Sequence, residues 1–529
     1  MKLCYETLST EKKAWEEAGV RLPAYNVQET AVRTWEHPRW IHFGAGNIFR
    51  AYMAKLQQRL LEAGETDTGI IAAEAFDWEL IDKLYILYNN LTLLVTLYGD
   101  AHLEKEVIAS IAAGIKAGPD NTELKRMMRD PLLQMISMTI TEKGYALTDL
   151  AGEFFPAVRA DIENGPAKAT TMMGLITALL YHRYQNGAAP IAVVSMDNCS
   201  HNGEKLYNSV ITIARQWYDR ALVDQDFLTY LQDPSQVSFP WSMIDKITPR
   251  PSETVEQELE RCGIEGMHPI TTAKHTYAAA FVNAEAPEYL VIEDSFPNGR
   301  PPLEKAGVYF TDRDTVNNTE RMKVTTCLNP LHTALAVYGC LLGYPTIASE
   351  MKDASLVRLI RGIGEKEGML VVVHPGILDP KAFLAEVLEE RLPNPFMPDT
   401  PQRIATDTSQ KIPVRYGETI KAYLPDVSGL HYIPLAIAGW CRYLLGVDDQ
   451  LADMALSPDP MMEPLQKILA DVHAGQPDSY HGQLREILSN PVIFGTDLTQ
   501  TVLAERIEGF FVRMLEGAGA VRKVLEQET

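Results

Sequence analysis

The chain has no excess of positive charge. Its 529 residues carry 48 Lys+Arg against 70 Asp+Glu, a formal net charge of -22. No basic footprint offsets that balance, which excludes a nucleic-acid backbone as the main partner. An anionic small molecule, which needs only a few local cations, is not excluded. No window reaches the ~18 consecutive apolar residues of a membrane span, and the stretch 333–344 reads as a buried helix. The first residues contain neither an apolar run nor a small-residue cleavage site, so no secretory signal is expected. Cysteine is sparse: Cys4, Cys199, Cys262, Cys327, Cys340 and Cys441. With no C-x-x-C pair there is no zinc knuckle, and reduced thiols of a cytoplasmic protein are expected, with no metal. Internal repeats, coiled-coil patterning and low-complexity segments are also missing, which argues against a structural or assembly protein.

What is present is an ordinary globular composition, 46% hydrophobic and 22% charged. Residues 1–38 read as a helical extension. A strand then begins at Trp40-Ile41-His42-Phe43, runs into Gly44-Ala45-Gly46-Asn47-Ile48-Phe49-Arg50, and a helical pattern follows to Ala63-Gly64. A second apolar strand, Gly69 to Ala73, ends at Glu74. Strand, Gly-rich turn, helix, strand and acid make one βαβ unit. Further strands are expected at 91–97, 133–140 and 191–195, with helices over 101–129 and 167–186. The alternation predicts an α/β fold with a doubly wound, Rossmann-type parallel sheet over 39–312. From 313 to 529 the helical period dominates, and a mainly α-helical domain is expected.

Gly44 and Gly46 sit between strand and helix, where glycines permit a tight turn and close approach to a pyrophosphate at the helix N-terminus. The third glycine of the dinucleotide fingerprint is absent, with Phe49 in its place. Asn47 and Ile48 complete the turn. Glu74 is placed to bind ribose hydroxyls and repel a 2′-phosphate, which favours NAD over NADP, and Asp77 is a second candidate. Arg50 either reaches the pyrophosphate or pairs with a carboxylate.

Two further clusters carry polar groups. In Lys323-Val-Thr-Thr-Cys-Leu-Asn329-Pro330-Leu-His332, Pro330 suits the first helical position with Asn329 as N-cap, and places His332 on the first turn. The strand Ile191–Ser195 leads into Met196-Asp197-Asn198, and the C-terminal end of a parallel strand is where α/β enzymes hold their sites.

With these motifs in hand the chain resembles the polyol-specific long-chain dehydrogenase, or mannitol dehydrogenase, family. The resemblance runs in order through the Gly44–Arg50 turn, Ile140-Thr-Glu-Lys-Gly-Tyr145, Ser195–Asn198 with Asn202-Gly203, and Asp245-Lys-Ile-Thr-Pro249. It continues through Val291–Asp294 with Gly299-Arg-Pro301, Asn329 with His332, and Asp407 with Ser409–Lys411. It implies a metal-independent NAD(P)-linked oxidoreductase, with a Rossmann-type domain, a helical domain and an active site between them. By that resemblance Lys323 is the acid/base, Asn198 and Asn329 bind the reacting oxygen, His332 orients the site, and Asp245 lines the substrate pocket. One departure stands out. The family places its lysine five residues before the asparagine, whereas Lys323 is six before Asn329. A bulge or helix break ahead of Pro330 would absorb the shift; without one, Lys246 or Lys411 are the next bases. The chemistry agrees with this assignment. Burial disfavours the charged form of an amine, so a desolvated lysine can take the proton as hydride leaves a secondary alcohol, and asparagine amides can donate to the developing alkoxide.

Within the family, the N-terminal extension and the His42–Ala51 turn look most like the branch that interconverts D-mannonate and D-fructuronate. Mannitol or another polyol is the alternative substrate, and a non-catalytic NAD-binding regulator is a third reading. A sugar acid requires a cation for its carboxylate, and Arg391 and Lys411 are the candidates.

Overall fold

Apolar runs in the first half form strands because both of their faces are covered. Six of them make one parallel sheet: β1 (Trp40–Phe43), β2 (Ile70–Glu74), β3 (Ile111–Lys116), β4 (Met135–Met138), β5 (Ile191–Ser195) and β6 (Val237–Ser238). Their spatial order is β3-β2-β1-β4-β5-β6, and all five pairings are parallel. That order is the doubly wound dinucleotide-binding arrangement, whose crevice lies where the order reverses, at the carboxyl ends of β1 and β4. Ile41, Phe43, Ile71 and Ala73 point into one core; Trp40, Ile70 and Ala72 point into the other. The period-2 alternation thus feeds helices on both faces.

This computed structural model describes residues 1–149 and 151–529. The chain divides into two units, Met1–Leu97 with His102–Asn317, and Asn318–Thr529 with the turn Tyr98–Ala101. In the first unit a mixed four-stranded sheet accompanies the parallel one. It is built from Val20–Arg21, Leu103–Ile108, Thr92–Leu97 and Phe281–Glu285. The helix expected over 101–129 is therefore corrected: Leu103–Ile108 and Ile111–Lys116 are strands, and only Thr122–Arg129 is helical. Glu104-Lys-Glu106 suits a helix in isolation. Antiparallel pairing with Thr92–Leu97 and burial of Val107 and Ile108 override that propensity. The N-terminal extension is mainly helical as expected, but Val20–Arg21 adds a short parallel strand beside Leu103–Ile108.

The second unit is helical. Helix Asn329–Leu342 is its buried axis, with Tyr338 donating to the Leu435 carbonyl of helix Tyr432–Tyr443 at 2.9 Å. Gly339 permits a close approach there: a Cβ would fall 2.1 Å from Oε1 of Glu350 and 2.8 Å from Pro401. Glu350 is 0% exposed, and neither of its carboxylate oxygens has a hydrogen-bond partner. Burial, with Asp353 nearby, pushes its carboxyl up to about 10, so it is held as the neutral acid. Among the described residues no helix is long and apolar enough to cross a membrane.

Candidate functional site

In the first unit the site begins at the end of β1. Gly44 has φ 102°, and a Cβ there would lie 2.2 Å from the Thr139 carbonyl oxygen, so the turn requires glycine. A Cβ on Gly46 would meet nothing within 4 Å. That open space is what a pyrophosphate needs above a strand-to-helix turn. A cavity of about 360 Å³ opens there, lined among others by Gly46, Asn47, Thr248, Arg250 and His275. Arg250 and His275 went unremarked in the sequence. Arg250 stands directly after the Asp245–Pro249 motif, which was the available signal.

Phe49 explains how the third glycine is dispensed with. Its ring is fully buried and stacks on His42 of β1, centroids 4.2 Å apart. The chain relieves the crowding by opening the first turn of the helix into a π turn, Phe49–Met53, before Ala54–Glu62 continues as α-helix. His42 is bound by Ser137 at 2.7 Å and Thr139 at 2.9 Å, and burial takes its imidazole down to about 3. It is a neutral packing element under the turn.

Glu74 closes β2 as expected, yet its carboxylate is already engaged. Oε2 accepts the Ala45 N–H at 2.8 Å, while Oε1 accepts those of Phe76 and Asp77 at 2.8 and 3.1 Å. It therefore shapes the glycine turn and presents only 7% of its surface. Asp77 is 3% exposed and accepts from Thr272 Oγ1. Arg50 also lines the cavity at Gly46, and it pairs with no carboxylate among the described residues. Its guanidinium is buried, donating to the Ala279 carbonyl at 2.7 Å and to Asn47 Oδ1 at 2.9 Å. It braces the turn.

Asn198 lies exposed just past the carboxyl end of β5. Its neighbours explain the surrounding motifs. Asp197 accepts the backbone N–H groups of Ile140 and Thr141 and the Tyr145 hydroxyl at 2.6 Å. Asn202, 0% exposed, donates to the Asp197 and Ser242 carbonyls and accepts the Ser242 N–H. These residues hold the turn that presents Asn198. Asp245 ends strand Ser242–Asp245 and is 4% exposed. Lys246, an alternative base, is engaged by Glu288 at 2.9 Å and by the Glu285 carbonyl, with Lys55 and Arg59 on the same carboxylate. Burial, opposed by Glu288, takes its amine down to about 8.

In the second unit the six-residue spacing has a physical account. Helix Arg313–Met322 is followed by a π turn, Lys323–Cys327, closed by the Leu328 N–H on the Lys323 carbonyl at 3.0 Å. A π turn holds one residue more than an α turn. Here it lies between Lys323 and Asn329, so the additional residue is taken up without disturbing the flanking helices. Lys323 is 3% exposed. The cap differs by one position from expectation: Leu328 is the N-cap and Asn329 the first helical residue. The Asn329 amide therefore does not cap the helix and makes no side-chain hydrogen bond among the described residues. Its carbonyl accepts from Thr333 Oγ1 at 3.0 Å.

His332, on the same turn, has Nε2 3.7 Å from Asp399. Burial, reinforced by Arg415, Arg403, Lys411 and Arg391, pushes its imidazole down to about 3. Four cations thus lie near enough to disfavour its protonation, with Asp399 beside the ring. Arg403 pairs with Asp399, and Lys411 donates to the carbonyls of Ile404, at 3.1 Å, and Thr406. Arg391 is 3% exposed. Arg403 and Arg415 were not singled out from the sequence.

Among the described residues one trio has donor atoms close enough for a metal ion: Glu256, Glu260 and the exposed His268. It lies on helix Glu253–Arg261 and the loop beyond, where the His268 ring nitrogens lie against both carboxylates. Exhaustive chelation is expected to leave turnover unchanged. Loss of turnover on EDTA treatment, restored by zinc, would refute a metal-independent reaction.

A family model described as the mannitol dehydrogenase Rossmann domain matches residues 38–305, and one described as the mannitol dehydrogenase C-terminal domain matches 315–514. A D-mannonate oxidoreductase of Thermotoga maritima is 53% identical over 536 residues, covering 100% of this chain and 99% of the relative. A D-mannonate oxidoreductase of Escherichia coli is 29% identical, covering 88% and 92%. Among solved structures, the ternary complex of Pseudomonas fluorescens mannitol 2-dehydrogenase with NAD and D-mannitol superposes with a TM-score of 0.70 at 28% identity, covering 100% and 99%. A substrate-free D-sorbitol dehydrogenase shares the fold at a TM-score of 0.80, 24% identity, covering 95% and 97%.

Proposed function

The chain belongs to the mannitol dehydrogenase family and is an oxidoreductase acting on CH–OH groups; on that premise we propose that it interconverts D-mannonate and D-fructuronate, with NAD as cofactor, in the cytoplasm. NAD, when bound, supplies the hydride acceptor or donor. The turn Gly44–Asn47 holds the pyrophosphate, and Glu74, which orders that turn, disfavours a 2′-phosphate. The substrate's hydroxyl proton passes to Nζ of Lys323 during oxidation and returns from it during reduction. The side-chain amides of Asn198 and Asn329 donate to the oxygen as charge develops on it, which stabilises the alkoxide without adding a formal charge. His332, kept neutral, orients the substrate by hydrogen bonding. Asp245 takes substrate hydroxyls.

The observation that carries the sugar-acid reading is the set of four cations around His332, which include the expected Arg391 and Lys411. An uncharged polyol has no need of them, whereas a carboxylate gains charge-assisted bonds. The D-mannonate oxidoreductase of Thermotoga maritima, at 53% identity against 28% for the mannitol 2-dehydrogenase, supports the same substrate. The test is kcat/KM for D-mannonate against D-mannitol. Mannonate is expected to lead by at least about tenfold, the worth of one hydrogen bond to a charged group. Equal efficiency would leave a polyol dehydrogenase, and no turnover of either, despite NADH binding, would leave a nucleotide-binding regulator.

Cofactor choice is a separate expectation. NADH should exceed NADPH in kcat/KM, and Glu74→Ser should narrow the gap while weakening both, because three N–H groups lose their acceptor. A parent enzyme that uses NADPH equally well would overturn the assignment.

A further inference from the structure

Each cation around His332 has a different degree of engagement. Arg403 has Asp399, and Lys411 has two carbonyls and also feels Asp407 and Asp459. Arg391 is nearly sealed and has protein partners, although its buried Nη2 makes no hydrogen bond among the described residues. Arg415 stands apart. It lies on the π turn Pro413–Gly417, and its guanidinium makes one hydrogen bond, from Nη1 to Thr333 Oγ1 at 2.6 Å. It pairs with no carboxylate among the described residues. Burial lowers its ionisation to about 10, and the group opposing that shift is the Tyr416 phenol. A mostly desolvated guanidinium among like charges is unfavourable unless an anion joins it.

Its location is fixed by the helix that carries the proposed substrate groups. Thr333 Oγ1 bonds the Asn329 carbonyl, and the adjacent Tyr416 hydroxyl donates to the Pro330 carbonyl at 3.0 Å. Arg415 is therefore tied to the first turn of helix Asn329–Leu342, the turn that bears Asn329 and His332. With Nη1 given to Thr333, the edge formed by Nε and Nη2 remains, and that edge matches the two oxygens of a carboxylate.

We infer that Arg415 is the residue that recognises the substrate's carboxylate, and so selects a sugar acid over the corresponding polyol. This rests on the sugar-acid reading above and assigns it to one side chain.

The experiment compares the parent with Arg415→Gln and Arg415→Lys, using D-mannonate and D-mannitol as paired substrates. For Arg415→Gln, KM for mannonate is expected to rise about 10- to 150-fold, the range for a lost bond to a charged group. The kcat for mannonate and both parameters for mannitol should stay within about twofold. Arg415→Lys keeps the charge without the fork and should recover only part of the loss. If Arg415→Gln does not fold, Arg415→Lys decides alone: a several-fold rise in KM confined to mannonate supports the inference. An equal loss on both substrates, or no change on either, overturns it and leaves Arg415 as a brace for the helix turn. Failure of the underlying reading is seen separately, in a parent enzyme that turns over mannitol as well as mannonate.

Discussion

Lys323→Ala is expected to lower kcat by about 10²–10⁴-fold, the range for loss of a positioned general acid/base, while NADH binding stays nearly unchanged. Nothing else on that π turn carries an ionisable amine: its other residues are Val324, Thr325, Thr326 and Cys327, and burial pushes the Cys327 thiol up to about 12. Single-turnover kinetics with bound NADH will separate chemistry from binding. Near-normal turnover would move the role to Lys246 or Lys411. Lys246 would then have to act from within its ion-pair cluster with Glu288, so its own replacement by Met would decide between them. Asn329→Ala adds an independent check. Because Leu328 rather than Asn329 is the N-cap, the variant should keep its stability and lose kcat, by ~3 kcal/mol for a well-aimed donor.

Glu350→Gln is expected to make the protein more resistant to unfolding as pH rises. In the folded state the Glu350 carboxyl retains its proton up to about 10. In the unfolded chain it loses that proton near the usual value for glutamate, ~4.3. Between those limits unfolding releases one proton, so stability falls by ~1.4 kcal/mol for each pH unit. Below the lower limit both states are protonated and the contribution is flat. Glutamine has the same shape and no proton to release, so this part of the slope disappears. Denaturation midpoints of parent and variant should coincide near pH 4 to 5 and diverge steadily by pH 9. Parallel midpoints across that range would show that Glu350 is ionised or solvated in the native state.

Much of the first unit could be read from residue order alone. Apolar runs bounded by Gly and acidic residues gave the parallel sheet, and Gly44-x-Gly46 gave its ligand turn, because a positive φ beside a neighbouring carbonyl leaves glycine as the single choice. Asn198 was recognisable as the polar residue just beyond a buried strand. Other features depend on partners far away in the chain. Nothing in Glu74 itself announces that Ala45, Phe76 and Asp77 donate to it, and Arg50 faces inward because Ala279, more than two hundred residues on, offers a carbonyl. The stretch 101–129 went astray for the same reason, since Leu103–Ile108 forms against Thr92–Leu97 and Ile111–Lys116 against Ile70–Glu74. The π turn at Lys323 was legible only as an odd spacing: an i→i+5 bond uses the same residue types as an i→i+4 bond. Arg415 left no local signature at all. What distinguishes it is the absence of a counter-ion among the described residues, and that is a property of the folded chain.

Of the four cations near His332, Arg403 is paired with Asp399 and Lys411 feels Asp407 and Asp459, on a chain of net charge -22. An anionic substrate approaching from solvent first meets the field of the whole molecule, which is repulsive and is damped over a Debye length of ~8 Å at physiological salt. Only within that distance can the cations near His332 outweigh it. Arrival is therefore slowed and departure is slowed too, and added salt speeds both, with opposite effects on affinity: lifting the outer barrier favours binding and loosening the inner grip opposes it. For a sugar acid the reaction is gated by the medium as much as by the pocket, while an uncharged polyol passes through the same field unaffected.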